Sequence, residues 1–132
     1  MKTTTLLAWL LIVVGVIFSY RNFVNPSPTP DPDPAPMHVS DVYLVHESRD
    51  NEPGLARIIA ASGWKKTLDD RGIEWEINDD DVLFKRKPLV VDAARKAGLP
   101  SLVAVGTDGA LATAPVPADV SGMNTYAGGL VR

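Results

Sequence analysis

An unbroken apolar run near the amino terminus constrains this chain more than any other feature. Leu6 to Phe18 contains no polar side chain, and the charge-free stretch around it is bounded by Lys2 and Arg21. A helix that spans a bilayer needs about 17 to 25 such residues, so this stretch lies near the lower limit. Because the run has no polar face, it does not have the pattern of a surface helix. We predict one transmembrane helix within residues 1–24, bound to the lipid bilayer through Leu6 to Phe18.

A cleaved signal peptide is the alternative interpretation of the same segment, and it would release a secreted domain. A positive start and a short apolar core are typical of both. The residues from Phe18 to Phe23 contain no pair of small residues spaced for cleavage, which favours an uncleaved signal-anchor. The positive charges on the two sides of the apolar run are nearly equal, so they do not decide its orientation. The acidic segment that follows favours export of the domain. We therefore expect a single-pass membrane protein whose domain is extracytoplasmic.

The next segment, residues 25–37, predicts an extended linker. Between Asn25 and Pro36 every second residue is proline, from Pro26 onward. Proline fixes φ and removes a backbone donor, so the segment favours polyproline II over helix or sheet. At about 3.1 Å per residue it reaches roughly 35 Å, enough to hold a domain away from the lipid headgroups.

Charge and composition exclude several function classes. The net charge is −3 at pH 7, so the broad positive surface of a nucleic-acid-binding protein is not expected. We therefore predict no nucleic-acid partner. The sequence contains no cysteine, which excludes disulfides, thiolate metal sites and thiol nucleophiles.

The sequence pattern predicts one α/β domain over residues 38–120. Residues 121–132 are predicted to form a C-terminal tail that contains at most a short helix. Apolar alternation and helix-capping signals give the order β-α-β-α-β-β. The strand patterns cover Val39–Glu47, Ile73–Ile77, Ser101–Val105 and Ala110–Val116, and the helix patterns follow Asn51 and Pro88. By the crossover rule, the first two strands are parallel neighbours, and the last two strands join the sheet in antiparallel pairs.

The stretch from Ala97 to Leu111 carries a more specific resemblance. A helix ends at Gly98, Leu99 precedes Pro100, and the apolar strand Ser101–Val105 runs into the turn Gly106–Gly109. This arrangement resembles the thioredoxin-like superfamily, in which an apolar residue precedes a cis-proline at the start of a buried strand. The resemblance covers about Val39 to Pro117 and implies a mixed sheet.

The same resemblance implies that this domain is redox-inactive. In the family the redox cysteines lie in the loop after the first strand, which here reads Ser48-Arg49-Asp50-Asn51-Glu52-Pro53. Without sulfur, no mixed disulfide can form. We expect a protein-binding or scaffold module, and the residues predicted to contact the protein partner are Arg49, Asp50, Asn51, Glu52 and Pro100.

A metal-assisted enzyme of unrecognised type is the alternative function. Asp79, Asp80 and Asp81 offer oxygen ligands for a hard cation, with His46 as a further candidate. The run lacks the alternating ligand spacing and the glycine of a calcium loop, and acidic runs usually lie on solvated surfaces. We therefore expect a solvated loop, and predict no cofactor and no catalytic residue.

Overall fold

A computed structural model describes residues 35–132, which form a compact unit with a mixed α/β fold. The predicted transmembrane helix and most of the predicted linker, residues 1–34, lie outside the described residues. Within 35–132, every helix is too short or too polar to cross a bilayer. The elements are β1 (Val39–His46), α1 (Pro53–Ala60), α2 (Gly63–Asp70), β2 (Glu74–Asp79), α3 (Asp80–Phe84), α4 (Pro88–Ala97), β3 (Ser101–Gly106), β4 (Leu111–Pro115) and α5 (Val120–Gly129).

The four strands form one mixed sheet in the order β2-β1-β3-β4. β1 and β2 are parallel, as expected for two strands joined through a helical crossover, and β3 is antiparallel to both β1 and β4. The prediction of parallel first strands with two antiparallel additions is confirmed. β1 lies between β2 and β3, and it is apolar on both faces because helices pack against each face of the sheet.

Each face of the sheet has its own apolar core. Val42 and Leu44 of β1 point to one face, where they pack against α1, α2 and α5. Tyr43 and Val45 alternate to the other face, where they pack against α3 and α4. The domain therefore has three layers, with the sheet in the middle.

The first helical region is divided in two by an interruption at Ala61 and Ser62. α1 ends at Ala60, Ala61 is extended with ψ 139°, and α2 begins at Gly63. The indole of Trp64, only 1 % exposed, donates a 2.8 Å hydrogen bond to the carbonyl of Ile58. This bond joins the two helices across the break.

Two segments are more ordered than the sequence pattern indicates. Asp80–Phe84, expected to begin as a solvated acidic loop, is a short helix because the Asp79 carboxylate accepts the Asp81 N–H at 3.0 Å. Most of residues 121–132, expected to form a tail, belongs to α5. Met123 and Ala127 of that helix are fully buried.

The segment that precedes β3 matches the pattern from which the resemblance was drawn. Gly98 follows α4 with φ 100°, a conformation that favours glycine, and the Leu99–Pro100 peptide bond is cis. The hairpin between β3 and β4 turns at Gly109, with φ 85°. Both glycine positions were predicted from the sequence.

Candidate functional site

The candidate site lies at the edge of the sheet where three chain segments meet. In the strand register His46 at the end of β1 faces Asp79 at the end of β2, and Val45 faces Ser101 at the start of β3. The loop after β1 therefore lies between the acidic run that follows β2 and the Pro100 that precedes β3. Crossover topology brings these segments together, because the carboxyl ends of parallel strands share one sheet edge.

The loop that leaves β1 is held by its own hydrogen bonds. The Glu47 N–H donates to the Asp50 carboxylate at 2.9 Å, and the Asp50 N–H donates to the Glu47 carbonyl at 3.0 Å. His46 Nδ1 lies 3.1 Å from the same carbonyl, so the tautomer protonated at Nδ1 donates a further bond. These contacts fix a turn that contains the first two predicted binding residues, Arg49 and Asp50.

Three of the four predicted loop residues are free to contact another molecule. Arg49, Asn51 and Glu52 are exposed, and their side chains make no hydrogen bond or ion pair within residues 35–132. Asp50 is half-buried, and its carboxylate is used in the turn. The loop thus presents two opposite charges and one amide to solvent.

A cleft on one side of this loop combines polar and apolar walls. Its apolar wall is Pro53, Leu55 and Ile59. Its polar wall consists of the loop residues other than Arg49, namely His46, Glu47, Ser48, Asp50, Asn51 and Glu52. The cleft has a volume of about 250 Å³. We call it the loop cleft. Its mixture of an apolar floor and exposed polar residues is typical of protein-binding surfaces.

The other side of the loop is linked to the end of β2. The Ser48 hydroxyl donates a hydrogen bond to the Asp79 carboxylate. This bond, together with backbone N–H donors that include the Asp81 N–H, holds the pKa of Asp79 below its usual range. Asp79 is therefore an ionised acceptor that joins the two loops.

Two of the three carboxylates of the acidic run pair with one arginine of α4. Arg95 of α4 donates to Asp80 at 2.8 Å and to Asp81 at 3.1 Å, and its guanidinium lies 5.1 Å from the centre of the Phe84 ring. Asp80 is only 8 % exposed, so without Arg95 its buried negative charge would have no partner of opposite charge.

The three carboxylates of Asp79–Asp81 nevertheless lie close enough to share a cation, with oxygens within 4.8 Å of one another. Each of them already has a protein partner: a hydroxyl and a backbone N–H for Asp79, and a guanidinium for the other two. A cation would have to displace Arg95 before it could bind all three. The geometry therefore favours a structural role for the run.

Pro100 is placed beside the loop but is not bonded to it. It is half-buried. Ser101, the residue after it, pairs with Val45 near the end of β1, so Pro100 lies beside that end. In the described part of the chain, no hydrogen bond joins it to residues 49–52. The five predicted binding residues thus lie at one sheet edge without forming a single bonded cluster.

No family model, curated protein or solved structure matches the chain.

Two contributors to the site were missed from the sequence. Ser48 was considered only as part of the loop, although its hydroxyl connects the loop to Asp79. Arg95 lies in the last turn of its helix, where a cation also suits the helix dipole, and nothing local in the sequence signals that it pairs with Asp80 and Asp81. A crossover helix packs back over the strand it follows, and this rule could have paired the two segments.

Proposed function

We propose that this chain is a membrane-tethered, redox-silent thioredoxin-like domain that binds a protein partner through the loop after β1. The observation that carries the proposal is the convergence at one sheet edge of an exposed, preorganised loop with the proline that opens β3. The loop occupies the position at which the resemblance places the redox cysteines, and this sequence contains none.

The order and pairing of the strands support the resemblance. A parallel β1–β2 pair, with β3 antiparallel beside β1 and β4 antiparallel beside β3, is the arrangement that the resemblance implies. Helices cover both faces of this sheet. Fold resemblance alone does not assign function, so the binding role rests on the loop and its cleft.

The loop has the properties of a binding surface rather than of a redox centre. Thiol–disulfide exchange requires a thiolate, and the chain has no sulfur other than that of methionine. The hydrogen bonds between Glu47 and Asp50 order the loop before a partner binds, so they lower the conformational-entropy cost of binding. Arg49 and Glu52 supply charges that select a partner, and the apolar wall of the loop cleft supplies area to bury.

The tether is the second part of the proposal, and it rests on the sequence of residues 1–37. The apolar run Leu6 to Phe18 anchors the chain in the bilayer, and the proline-rich linker holds the domain on the extracytoplasmic side. Anchoring restricts the domain to partners near the membrane and raises their effective concentration. A scaffold that binds weakly can therefore still be occupied.

The binding role can be tested with the full chain, tagged after Arg132 and purified from membranes of cells that express it. We expect a protein that copurifies with the wild type to be lost from a variant with exchanged loop charges, Arg49→Glu with Glu52→Arg. The matched control exchanges charges on the exposed face of α4, Asp92→Lys with Lys96→Glu, and should retain that protein. Equal recovery by both variants would contradict the role of the loop.

The tether needs a separate test in the same cells. We expect the full chain to remain in the membrane fraction at high salt and to resist carbonate extraction, as membrane-spanning proteins do. External protease should then degrade the domain in spheroplasts or intact cells. A soluble chain that lacks the apolar run would support the signal-peptide alternative instead.

A further inference from the structure

A second cleft, remote from the loop after β1, follows the free edge of the sheet. β2 is the outermost strand, so one side of its backbone has no neighbouring strand within the described residues. The cleft along this edge has a volume of about 340 Å³, and we call it the edge cleft. Its main lining residues are Asp41, Tyr43, Asp69, Glu74, Trp75 and Glu76.

The edge cleft carries an excess of negative charge. Strand register sets Asp41 beside Glu74 and Tyr43 beside Glu76, so three acidic side chains come from two neighbouring strands. Asp69 of α2, a fourth carboxylate, lines the cleft from the opposite face of the sheet, where it accepts the Trp75 indole N–H at 2.9 Å.

Few cations of the described residues balance these four carboxylates. Glu76 pairs with Arg86 at 2.9 Å, and this bond holds its pKa below the usual range. Lys65 lies 5.2 Å from the centre of the Trp75 ring. Asp41 and Glu74 make no ion pair within residues 35–132, so at least two carboxylate charges remain to attract a cationic ligand.

A tyrosine that lines the same cleft has a hydroxyl without a protein partner in residues 35–132, and this is a second observation that points to a ligand. Tyr43 is 5 % exposed, and its hydroxyl makes no hydrogen bond within residues 35–132. Among the described residues, every side-chain oxygen that is fully buried has a hydrogen-bond partner. The Tyr43 hydroxyl has none, so it must be in contact with solvent, and Tyr43 lines the edge cleft. Burial raises the pKa of Tyr43, and Asp41 and Glu76 raise it further. The group is therefore a neutral hydroxyl that can donate or accept.

The backbone of β2 supplies the remaining ligand groups. An edge strand presents unpaired N–H and C=O groups that can bond to an added strand. Glu74 and Glu76 repel acidic chains, and this chain itself has a net charge of −3. They attract a strand with lysine or arginine at alternate positions, because alternate side chains of a strand point to the same face.

We infer that the edge cleft binds an extended basic peptide segment, which adds as a strand beside β2 and places its cationic side chains against Asp41 and Glu74. The peptide buries the outer backbone groups of β2 and satisfies the Tyr43 hydroxyl. This surface is separate from the loop cleft, so the inference stands or falls independently of the proposed function. The competing explanation is that the acidic edge only prevents strand pairing.

The test titrates the full chain, in a zwitterionic detergent, with an octapeptide of alternating lysine and valine. Binding is followed by calorimetry and by the fluorescence of a Trp9→Phe background, in which Trp64 and Trp75 remain and Trp75 lines the cleft. We expect saturable binding that weakens with salt, and none for the matched glutamate–valine peptide. Absence of binding by the basic peptide would overturn the inference.

Matched variants locate the site. Asp41→Asn with Glu74→Gln should weaken binding at least about tenfold, whereas Glu47→Gln with Asp92→Asn, which removes the same charge elsewhere, should change it less than about twofold. Equal losses in both would show attraction by net charge alone and would overturn the inference. Tyr43→Phe, which keeps the ring packed, should weaken binding by a smaller factor.

Backbone methylation of the peptide tests strand addition itself. In an extended peptide the N–H groups of alternate residues point to opposite edges. Methylation at either the lysine or the valine positions should therefore abolish binding in one series and leave it intact in the other. Equal binding by both N-methylated series would show that no strand forms and would refute the proposed mode.

Discussion

Truncation of Met123 to alanine tests whether α5 belongs to the core of the domain. Met123 is 0 % exposed and packs with α1, α2 and the sheet. The change deletes about three methylene-sized groups, which costs about 2.4 kcal/mol of transfer free energy. A residual cavity of roughly 50 Å³ adds about 1.2 kcal/mol. We therefore expect the free energy of unfolding to fall by about 3.6 kcal/mol.

Urea unfolding of the full chain in detergent measures this cost, with the fluorescence of Trp64 and Trp75 as the probe. Trp64 lies in the same core, and Trp9→Phe removes the signal of the apolar segment. Leu89→Ala is the control, because Leu89 is 74 % exposed and its truncation should change stability by less than about 0.5 kcal/mol. If Met123→Ala cost no more than Leu89→Ala, the placement of α5 in the core would be wrong.

Three further predictions concern individual groups. Calcium should not raise the melting temperature of the wild type, because Arg95 pairs with two carboxylates of Asp79–Asp81; a rise in scanning calorimetry would favour the metal-assisted alternative. Burial raises the pKa of Tyr126 to about 12, so the stability that this group contributes is complete below pH 10 and is lost between pH 10 and about 12. Unfolding measured across that range should show a smaller decline for Tyr126→Phe, and an identical decline would contradict the assignment. Asp119→Ala removes the cap on the Gly122 N–H, at 2.7 Å, and should cost about 1 kcal/mol in the same urea assay, whereas no loss would show that the cap is dispensable.

The order of the elements could be predicted because each one has a strong local signal. β1 is apolar on both faces, α4 begins at a proline and ends before a glycine, and the β3–β4 hairpin turns at an Asp-Gly pair. Each signal depends on neighbours within a few residues, and the crossover rule then sets the strand pairing. The mixed α/β class followed from these two kinds of information.

The missed features depend on contacts between residues distant in sequence. α5 contains three glycines and has only Met123 and Ala127 buried, so its pattern is too weak to distinguish it from a tail. It becomes a core helix because α1 and α2 leave an apolar surface that it covers. The helix at Asp80 differs, since its cap is local: the Asp79 side chain accepts the Asp81 N–H two residues away.

Only part of the candidate site could be predicted, because the rest depends on contacts between residues distant in sequence. Topology alone brings the loop after β1 to the sheet edge that contains Pro100, so the predicted residues share a region. The bond from Ser48 to Asp79 spans 31 positions, and the pair of Arg95 with Asp80 spans 15. Such pairs have no local pattern, and only the folded chain reveals them.

Photo-crosslinking from the loop tests the central claim most directly. A photoreactive residue replaces Asn51 in the full chain, in membranes of the cells that express it, and a second chain has it at Ser121, an exposed position on α5. The account predicts one discrete crosslinked partner from position 51, absent from position 121 and abolished by Arg49→Glu with Glu52→Arg. The same adducts from both positions, or none from position 51, would contradict a binding role for the loop.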